Sequence, residues 1–390
     1  MKKNEPLKAE DILADELLSA DITQGLKPDE SIAEEEYLLA NQIQKSLKAQ
    51  QPKFSAADKD ILGKNIAENI NRAKRKSLLI RYSVAASIIA LVGITALFRN
   101  ASESDISRFA SGISANPQIG YTQLHLSSAK IIRIEAQESK IAYSTNGQEI
   151  QIDEQDAIAQ KLSSGAEAYN TVIVPYGKRS KITLPDNSTI WLNSGTKLVY
   201  PAQFANEKRE VFLEGEAIFD VTPNEKAPFH VVTKQLEVKV LGTNFDLCAY
   251  ADDSLVNTIL VHGSVELSYN KNSIFGASKE VMVPGMLAAY DLKSKKMVQQ
   301  NVDTKDFLSW KEGYLIMKKN TLSNIVQKLS RYYNVSIEIE NQELLDVTFS
   351  GQLDLQSSAI DVLKLISETI DIEFEQSLVW NCTNVRRWNE

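Results

Sequence analysis

The spacing of apolar residues changes character three times along the chain. Near the N-terminus they recur at helical intervals: Ile12, Leu13, Leu17 and Leu18, then Leu39, Ile43 and Leu47, then Leu62, Ile66 and Ile70. This predicts three short amphipathic helices, parted by polar breaks at 23–28 and 50–53, with 55–58 supplying an N-cap for the third. Residues 82–98 then run without a single charge. From 124 to 291 short apolar-polar alternations follow one another with turn residues between them, including the hairpin signal Asn146-Gly147. Strands so short and so closely spaced predict an all-β domain, as a sandwich, barrel or solenoid, with 153–163 as a short helix or turn. Past residue 306 strands at 313–317, 335–339, 347–349, 372–374 and 378–380 are interleaved with helices at 321–333 and 357–370, a β-α-β-β-α-β-β module.

The uncharged run divides the chain. Seventeen residues make roughly 26 Å of helix, and Leu78-Leu79-Ile80 with a snorkelling Arg81 extend it towards the ~30 Å of a bilayer core. A buried helix of a soluble core would show a polar stripe, which Ser83, Ser87 and Thr95 do not make. Arg72, Lys74, Arg75, Lys76 and Arg81 crowd its N-terminal side, so the positive-inside rule predicts a cytoplasmic N-terminus and an external C-terminal part. The first 77 residues are polar, which predicts an uncleaved anchor rather than a signal peptide. The expected division is a helical tail at 1–77, a transmembrane helix at 78–99, a linker at 100–123, the β domain at 124–305 and the α+β module at 306–390.

Composition narrows the chemistry. The 390 residues carry a net charge of −8, and residues 1–71 hold nine Lys against fourteen Asp and Glu, so no face suits phosphate neutralisation and no nucleic-acid binding is expected. Two cysteines, Cys248 and Cys382, make no disulfide framework. His125, His230 and His262 stand at no metal-ligand spacing, and no metal or cofactor is expected. Neither a nucleophile elbow nor a phosphate-binding loop is present. Glu214-Gly215-Glu216 offers a carboxylate pair for glycoside hydrolysis, but a turn with Gly at positive φ explains it more simply. The chain therefore reads as a non-enzyme, with an anchored carbohydrate-binding or hydrolytic β domain as the alternative. Trp191, Phe204, Phe212, Phe219, Phe229 and Phe245 alternate with polar neighbours as core residues of strands do. The exposed Leu and Ile faces of the acidic tail either pack weakly together or suit a groove on a basic partner.

Several motifs recur in fixed order over 169–291. They include Pro175 and Gly177, Asp186, Trp191-Leu192-Asn193, Pro201, Glu214-Gly215-Glu216, Pro228-Phe229, Gly242-Thr243 with Phe245, and Pro284-Gly285. Together they resemble the FecR family of sigma-factor regulators. The segment around Trp310 and Gly313, with the module after it, is similar to the C-terminal domain that this family carries in Bacteroidetes. The resemblance implies an inner-membrane protein whose tail binds an extracytoplasmic-function sigma factor. Leu13, Leu17, Leu18, Leu39, Ile43 and Leu47 are the candidate contacts. It also implies that the outer part receives a signal from the signalling domain of a TonB-dependent outer-membrane receptor, and that membrane proteases release the sigma factor. Because a flexible 100–123 cannot transmit a small rotation, cleavage or exposure of that linker is the expected switch.

Overall fold

The alternation seen from residue 122 onward closes into two sheets that share one strand. The computed structural model describes residues 38, 39, 42, 43, 45, 46, 49, 55–100, 104–160, 169–270, 276–339, 341–370, 372–376 and 382–387. Of the tail candidates, Leu13, Leu17, Leu18 and Leu47 lie outside these residues, whereas Leu39 and Ile43 are helical and exposed.

The chain up to residue 95 forms one compact unit and the rest another. In the first, the third tail helix and the uncharged run are not separate elements. They are parts of a single helix α1, Ala56–Asn100, which starts directly after Ser55. No Pro interrupts it, and a charged half followed by an apolar half breaks no backbone hydrogen bond. Ile88, Ile89, Leu91 and Val92 on it are exposed. Among the described residues no helix is long and apolar enough to cross a membrane; side chains at 77–81, 84 and 94–100 fall outside that set.

The second unit opens with a correction. The stretch 100–123, expected to be a linker, contains helix α2, Asp105–Ser111, capped by the Ser104 hydroxyl, which accepts from the Ser107 amide. Ile106 and Ala110 are fully buried against Val199, Phe212 and Val232 of the β domain. Phe109 stacks on Tyr169 with ring centres 5.0 Å apart. Seven residues are too few for a helix to stand alone, so α2 exists because it is docked.

Eighteen strands follow: β1 (Thr122–His125), β2 (Ile131–Ile134), β3 (Glu138–Tyr143), β4 (Glu149–Ile152), β5 (Ile158–Ala159), β6 (Tyr169–Val174), β7 (Arg179–Thr183), β8 (Thr189–Leu192), β9 (Thr196–Pro201), β10 (Arg209–Asp220), β11 (Phe229–Val232), β12 (Leu236–Val240), β13 (Asn244–Ala249), β14 (Leu255–His262), β15 (Val265–Tyr269), β16 (Ser278–Met282), β17 (Met286–Asp291) and β18 (Met297–Asn301). The first sheet runs β2-β1-β6-β9-β10-β11-β12-β15-β16. The second runs β5-β4-β3-β7-β8-β10-β13-β14-β17-β18. Among the described residues of these two sheets, only β10–β11 and β3–β7 are parallel. One core, with Leu198, Val211, Phe229 and Val238 from the first sheet and Ile182, Phe219, Phe245 and Leu247 from the second, fills the space between them. The domain is a sandwich. The helix or turn expected at 153–163 is, as far as residue 160, a turn leading into β5, and β18 had no clear sequence signal.

β10 belongs to both sheets and overturns the turn expected at 214–216. Residues 212–214 pair with β9 in the first sheet, and 217–220 pair with β8 in the second. The crossing is at Gly215, φ +122°, where a Cβ would sit 2.5 Å from Thr196 Oγ1 and 2.6 Å from its Cα. Glu214-Gly215-Glu216 is therefore the corner of a twelve-residue strand. Both outer faces beside that corner are covered: Phe212 lies under α2 on one side, and Ile218 joins the core of the C-terminal module on the other. That cover is why β10 is buried almost continuously instead of alternately.

The module begins with a short helix α3 (Lys305–Leu308) and a 3-10 turn at Ser309–Glu312, ended by Gly313 in the left-handed region. β19 (Tyr314–Thr321) pairs with β21 (Thr348–Asp354), and β20 (Ser336–Ile339) and β22 (Ile372–Gln376) flank β23 (Cys382–Arg387). Helices α4 (Leu322–Tyr333) and α5 (Ala359–Ile370) contribute Leu322, Ile325, Leu329, Val362 and Ile366 to its core. The strand expected at 378–380 lies outside the described residues, and β23 is the middle strand of its three-stranded sheet.

Gly215→Ala forces both a strained φ and a backbone collision, and is expected to destabilise the sandwich by about 2–4 kcal/mol, read as a lowered urea midpoint. Ile106→Ala removes about 2–4 kcal/mol of packing, enough to undock α2; hydrogen exchange should then show 105–113 unprotected while β6–β15 keep their protection.

Candidate functional site

The outer face of the second sheet is where the sequence-flagged residues converge. The register of β10 and β13 sets Glu216 opposite Cys248 and Ile218 opposite Asp246, so these four side chains share one face. The module docks on that face through α4 and the 309–312 turn, and between them lies a cavity of about 330 Å³. Asn193, Glu216 and Trp310, all picked from sequence motifs, line it together with Asp246, Tyr250 and Arg331.

Arg331 is the hub of the joint. Its guanidinium donates to Asp252 Oδ1 at 2.8 Å and to Asp253 Oδ1 at 2.6 Å, and it lies 3.7 Å from the centre of the Tyr250 ring. Gln327, one turn earlier on α4, donates to Asp253 Oδ1 at 2.8 Å. The Arg331 carbonyl accepts from the Gly177 amide at 2.9 Å, and Gly177 sits at φ +77° in the turn after β6. Arg179 closes the other end. Its Nη1 donates to the Trp310 carbonyl at 2.8 Å, its guanidinium lies over Tyr332, and it pairs with Glu138. Trp191 is half-buried beside the module core, with the Lys181 and Lys311 ammonium groups near its ring.

Inside the cavity the electrostatics are unbalanced. Asn193 Nδ2 donates to Glu216 Oε2 at 2.6 Å. Asp246 is 1 % exposed and neither carboxyl oxygen has a hydrogen-bond partner. Burial first, and then the Glu216 carboxylate, push its pKa well above the ordinary value; Lys328 and the Trp310 indole act in the opposite direction. That indole N–H closes no hydrogen bond of ordinary geometry. Burial also pushes the Cys248 thiol up, so it stays a thiol. Among the described residues no group of three His, Cys, Asp or Glu is placed to hold a metal ion.

Glu214 and Glu216 do not form a catalytic pair. Across the Gly215 corner Glu214 meets Lys197 and Lys234, each at 3.1 Å, while Glu216 lines the cavity. Burial would raise the Glu214 pKa, but the two ammonium groups outweigh it and lower it.

The remaining motif residues build the sandwich. Asp186 ion-pairs with Arg209 at 2.7 Å in the β7–β8 turn, where Asn187 takes φ +66°. Arg209, 2 % exposed, also donates to the Ala227 and Thr222 carbonyls and lies over Phe229. Pro228 accepts from the Arg209 amide. Gly242 admits Pro223 where a Cβ would be 2.6 Å from its Cα. Thr243 donates to the Ser264 carbonyl, and Phe245 stacks on Phe219 at 4.9 Å. Leu192 is fully buried, Pro201 ends β9 opposite Tyr169, and Pro284-Gly285 turns β16 into β17 with Gly285 at φ +86°. Of the six aromatics expected in the core, Phe212 is fully buried under α2 and Trp191 is half-buried against the module core, both outside the space between the two sheets.

Comparison with known families assigns two parts of the chain. Residues 170–266 match the family model described as FecR protein, and 314–378 match the one described as FecR, C-terminal. These two stretches, in this order, carry the chain's likeness to the FecR family. Two crystal structures of a candidate anti-sigma factor from Parabacteroides distasonis ATCC 8503, at 2.50 and 1.65 Å resolution, resemble this chain at 28% identity and a TM-score of 0.52. They cover 57% and 56% of it, and 100% and 99% of their own lengths. Comparison with curated proteins gives no match. The two FecR segments are the two partners of the seam: 170–266 carries Glu216, Asp246 and Asp253, and 314–378 carries Gln327, Lys328 and Arg331.

Arg331→Met leaves Asp253 without its cation and is expected to weaken docking of the module by about 3 kcal/mol. Calorimetry should then resolve a separate, earlier transition for the module, and proteases should cut the chain near 302–306 faster.

Proposed function

We propose that this FecR-like protein is a membrane-anchored anti-sigma factor that carries a signal from the periplasm to a sigma factor in the cytoplasm. The observation that carries the reading is the paired FecR and FecR C-terminal matches in one chain, joined at a common seam, with structural similarity to a candidate anti-sigma factor. The exposed Ile88, Ile89, Leu91 and Val92 of α1 favour lipid as the surroundings of the expected span at 78–99. The basic cluster at 72–81 then holds the N-terminal side at the cytoplasmic face. The tail at 1–77, with exposed Leu39 and Ile43 on helical backbone, offers apolar side chains to a groove on an extracytoplasmic-function sigma factor.

The periplasmic input, in this reading, comes from the signalling domain of a TonB-dependent receptor docking on the 306–390 module. Release of the sigma factor follows from proteolysis near the membrane. The docking of α2 moves the vulnerable chain: 105–113 is held on the sandwich, so a protease must act beside it or after its release.

A reporter enzyme active only in the cytosol, fused after Glu390, should stay silent, and residues 1–77 should retain the sigma factor in a pull-down. Reporter activity would reject the topology, and failure of the tail to retain any sigma factor would reject the anti-sigma role.

A further inference from the structure

The seam cavity holds one buried acid whose oxygens no basic group of the protein contacts. Four carboxylates line it, but Asp253 is taken by Arg331 and Asp306 by Lys318 at 2.8 Å. That leaves Glu216 on β10 and Asp246 on β13 facing a single half-buried ammonium, Lys328 on α4, which contacts neither oxygen of Asp246. Lys319, on β19, is exposed. Cys248 and Tyr250 remain protonated in their buried positions and contribute no charge.

The walls suit an organic cation. Trp310 presents a buried indole and Phe307 a ring, surfaces to which ammonium and guanidinium groups are drawn. Asp246 presents two unpartnered oxygens, able to accept from a forked donor. The volume of about 330 Å³ admits a group the size of a lysine or arginine side-chain end. We propose that this cavity is a binding site for one organic cation, an ammonium or guanidinium group, seated between Asp246, Glu216 and the Trp310 ring. The source is either a free amine or guanidine compound or a basic side chain of a protein docking on the seam. This site goes beyond the anti-sigma reading and does not depend on it.

Binding has a proton signature. With the cavity empty, burial keeps a proton on Asp246 up to a pKa well above the ordinary carboxylate value. An arriving cation expels that proton. Affinity should therefore rise with pH, by up to about tenfold per pH unit while Asp246 is still protonated in the free protein, and level off above its raised pKa.

The test is calorimetric titration of the full chain in detergent with methylguanidinium chloride, against NaCl at equal ionic strength, at several pH values and in two buffers of different ionisation enthalpy. Saturable binding of one cation per chain with proton release is expected. It should be at least about tenfold weaker in Asp246→Asn, weaker in Glu216→Gln, and tighter in Lys328→Met, which removes the resident competitor. Thermal unfolding verifies that each variant is folded, and Glu216→Gln replaces Asp246→Asn should the latter not fold. The peptide Gly-Arg-Gly, compared with Gly-Gly-Gly, separates the sources: binding of both probes assigns a partner's side chain, and binding of methylguanidinium alone a small molecule. No saturable binding above NaCl, binding unchanged in the folded carboxylate variants, or loss of binding in Lys328→Met overturns the proposal.

Discussion

A strand that serves two sheets can do so only where its backbone turns a corner with no side chain in the way, and in this protein that place is Gly215. The left-handed φ and the approach of Thr196 leave room for nothing larger. From that corner the pairings of β10 with β9 on one side, and with β8 and β13 on the other, hold the sandwich shut around its core. The corner also sends the neighbouring side chains to different places. Phe212 goes out to α2, Ile218 to the module, Glu214 to Lys197 and Lys234, and Glu216 into the seam. One strand thereby touches every part of the second unit.

The two surfaces docked on the sandwich are held by different forces. α2 is anchored by Ile106 and Ala110 in an apolar socket, with buried Lys197 donating to the carbonyls of Ala110 and Ile113 at 3.2 and 3.0 Å. Those bonds satisfy carbonyls at the helix end and favour its C-terminal dipole. The module shares an apolar core with Ile218 and Trp191 but is also held by charge, with Arg331 on two aspartates and Arg179 on a carbonyl beside the cavity. Apolar burial changes little with protonation or salt, whereas a joint of desolvated carboxylates responds to both. The seam is thus the more environment-sensitive of the two attachments, and it joins the two FecR segments.

This arrangement bears on the stretch of chain between α1 and the β domain. Only residues 101–104 separate the end of α1 from the start of α2 in sequence, and α2 is fastened to the first sheet beside β9 and β10. Within the stretch expected to be a loose linker, 105–113 are fastened to the domain. The two halves of β10 carry the contacts of both attachments, Phe212 those of α2 and Ile218 those of the module.

Much of the architecture was legible from residue order alone. The period-two runs from 124 to 291, the Asn146-Gly147 hairpin, and the helical spacing of Leu322, Ile325 and Leu329 mark their elements because local backbone geometry imposes those periods. The motif series pointed to the family, and through it to Glu216, Asn193 and Trp310. What stayed hidden depended on partners distant in sequence. The 100–123 segment reads as a linker because its two apolar anchors, Ile106 and Ala110, gain a socket only once β9, β10 and β11 are assembled. Glu214-Gly215-Glu216 reads as a turn because Gly between acids signals one locally, and only strand pairing on both sides turns it into a corner. Asp246, Asp253, Lys328 and Arg331 look like ordinary solvated charges until docking removes their water. The sequence by itself determined the periods, the turns and the apolar span, since these follow from neighbouring residues; tertiary structure alone decided which charges lost their solvent, since desolvation comes from surfaces that meet across 80 or so residues of chain.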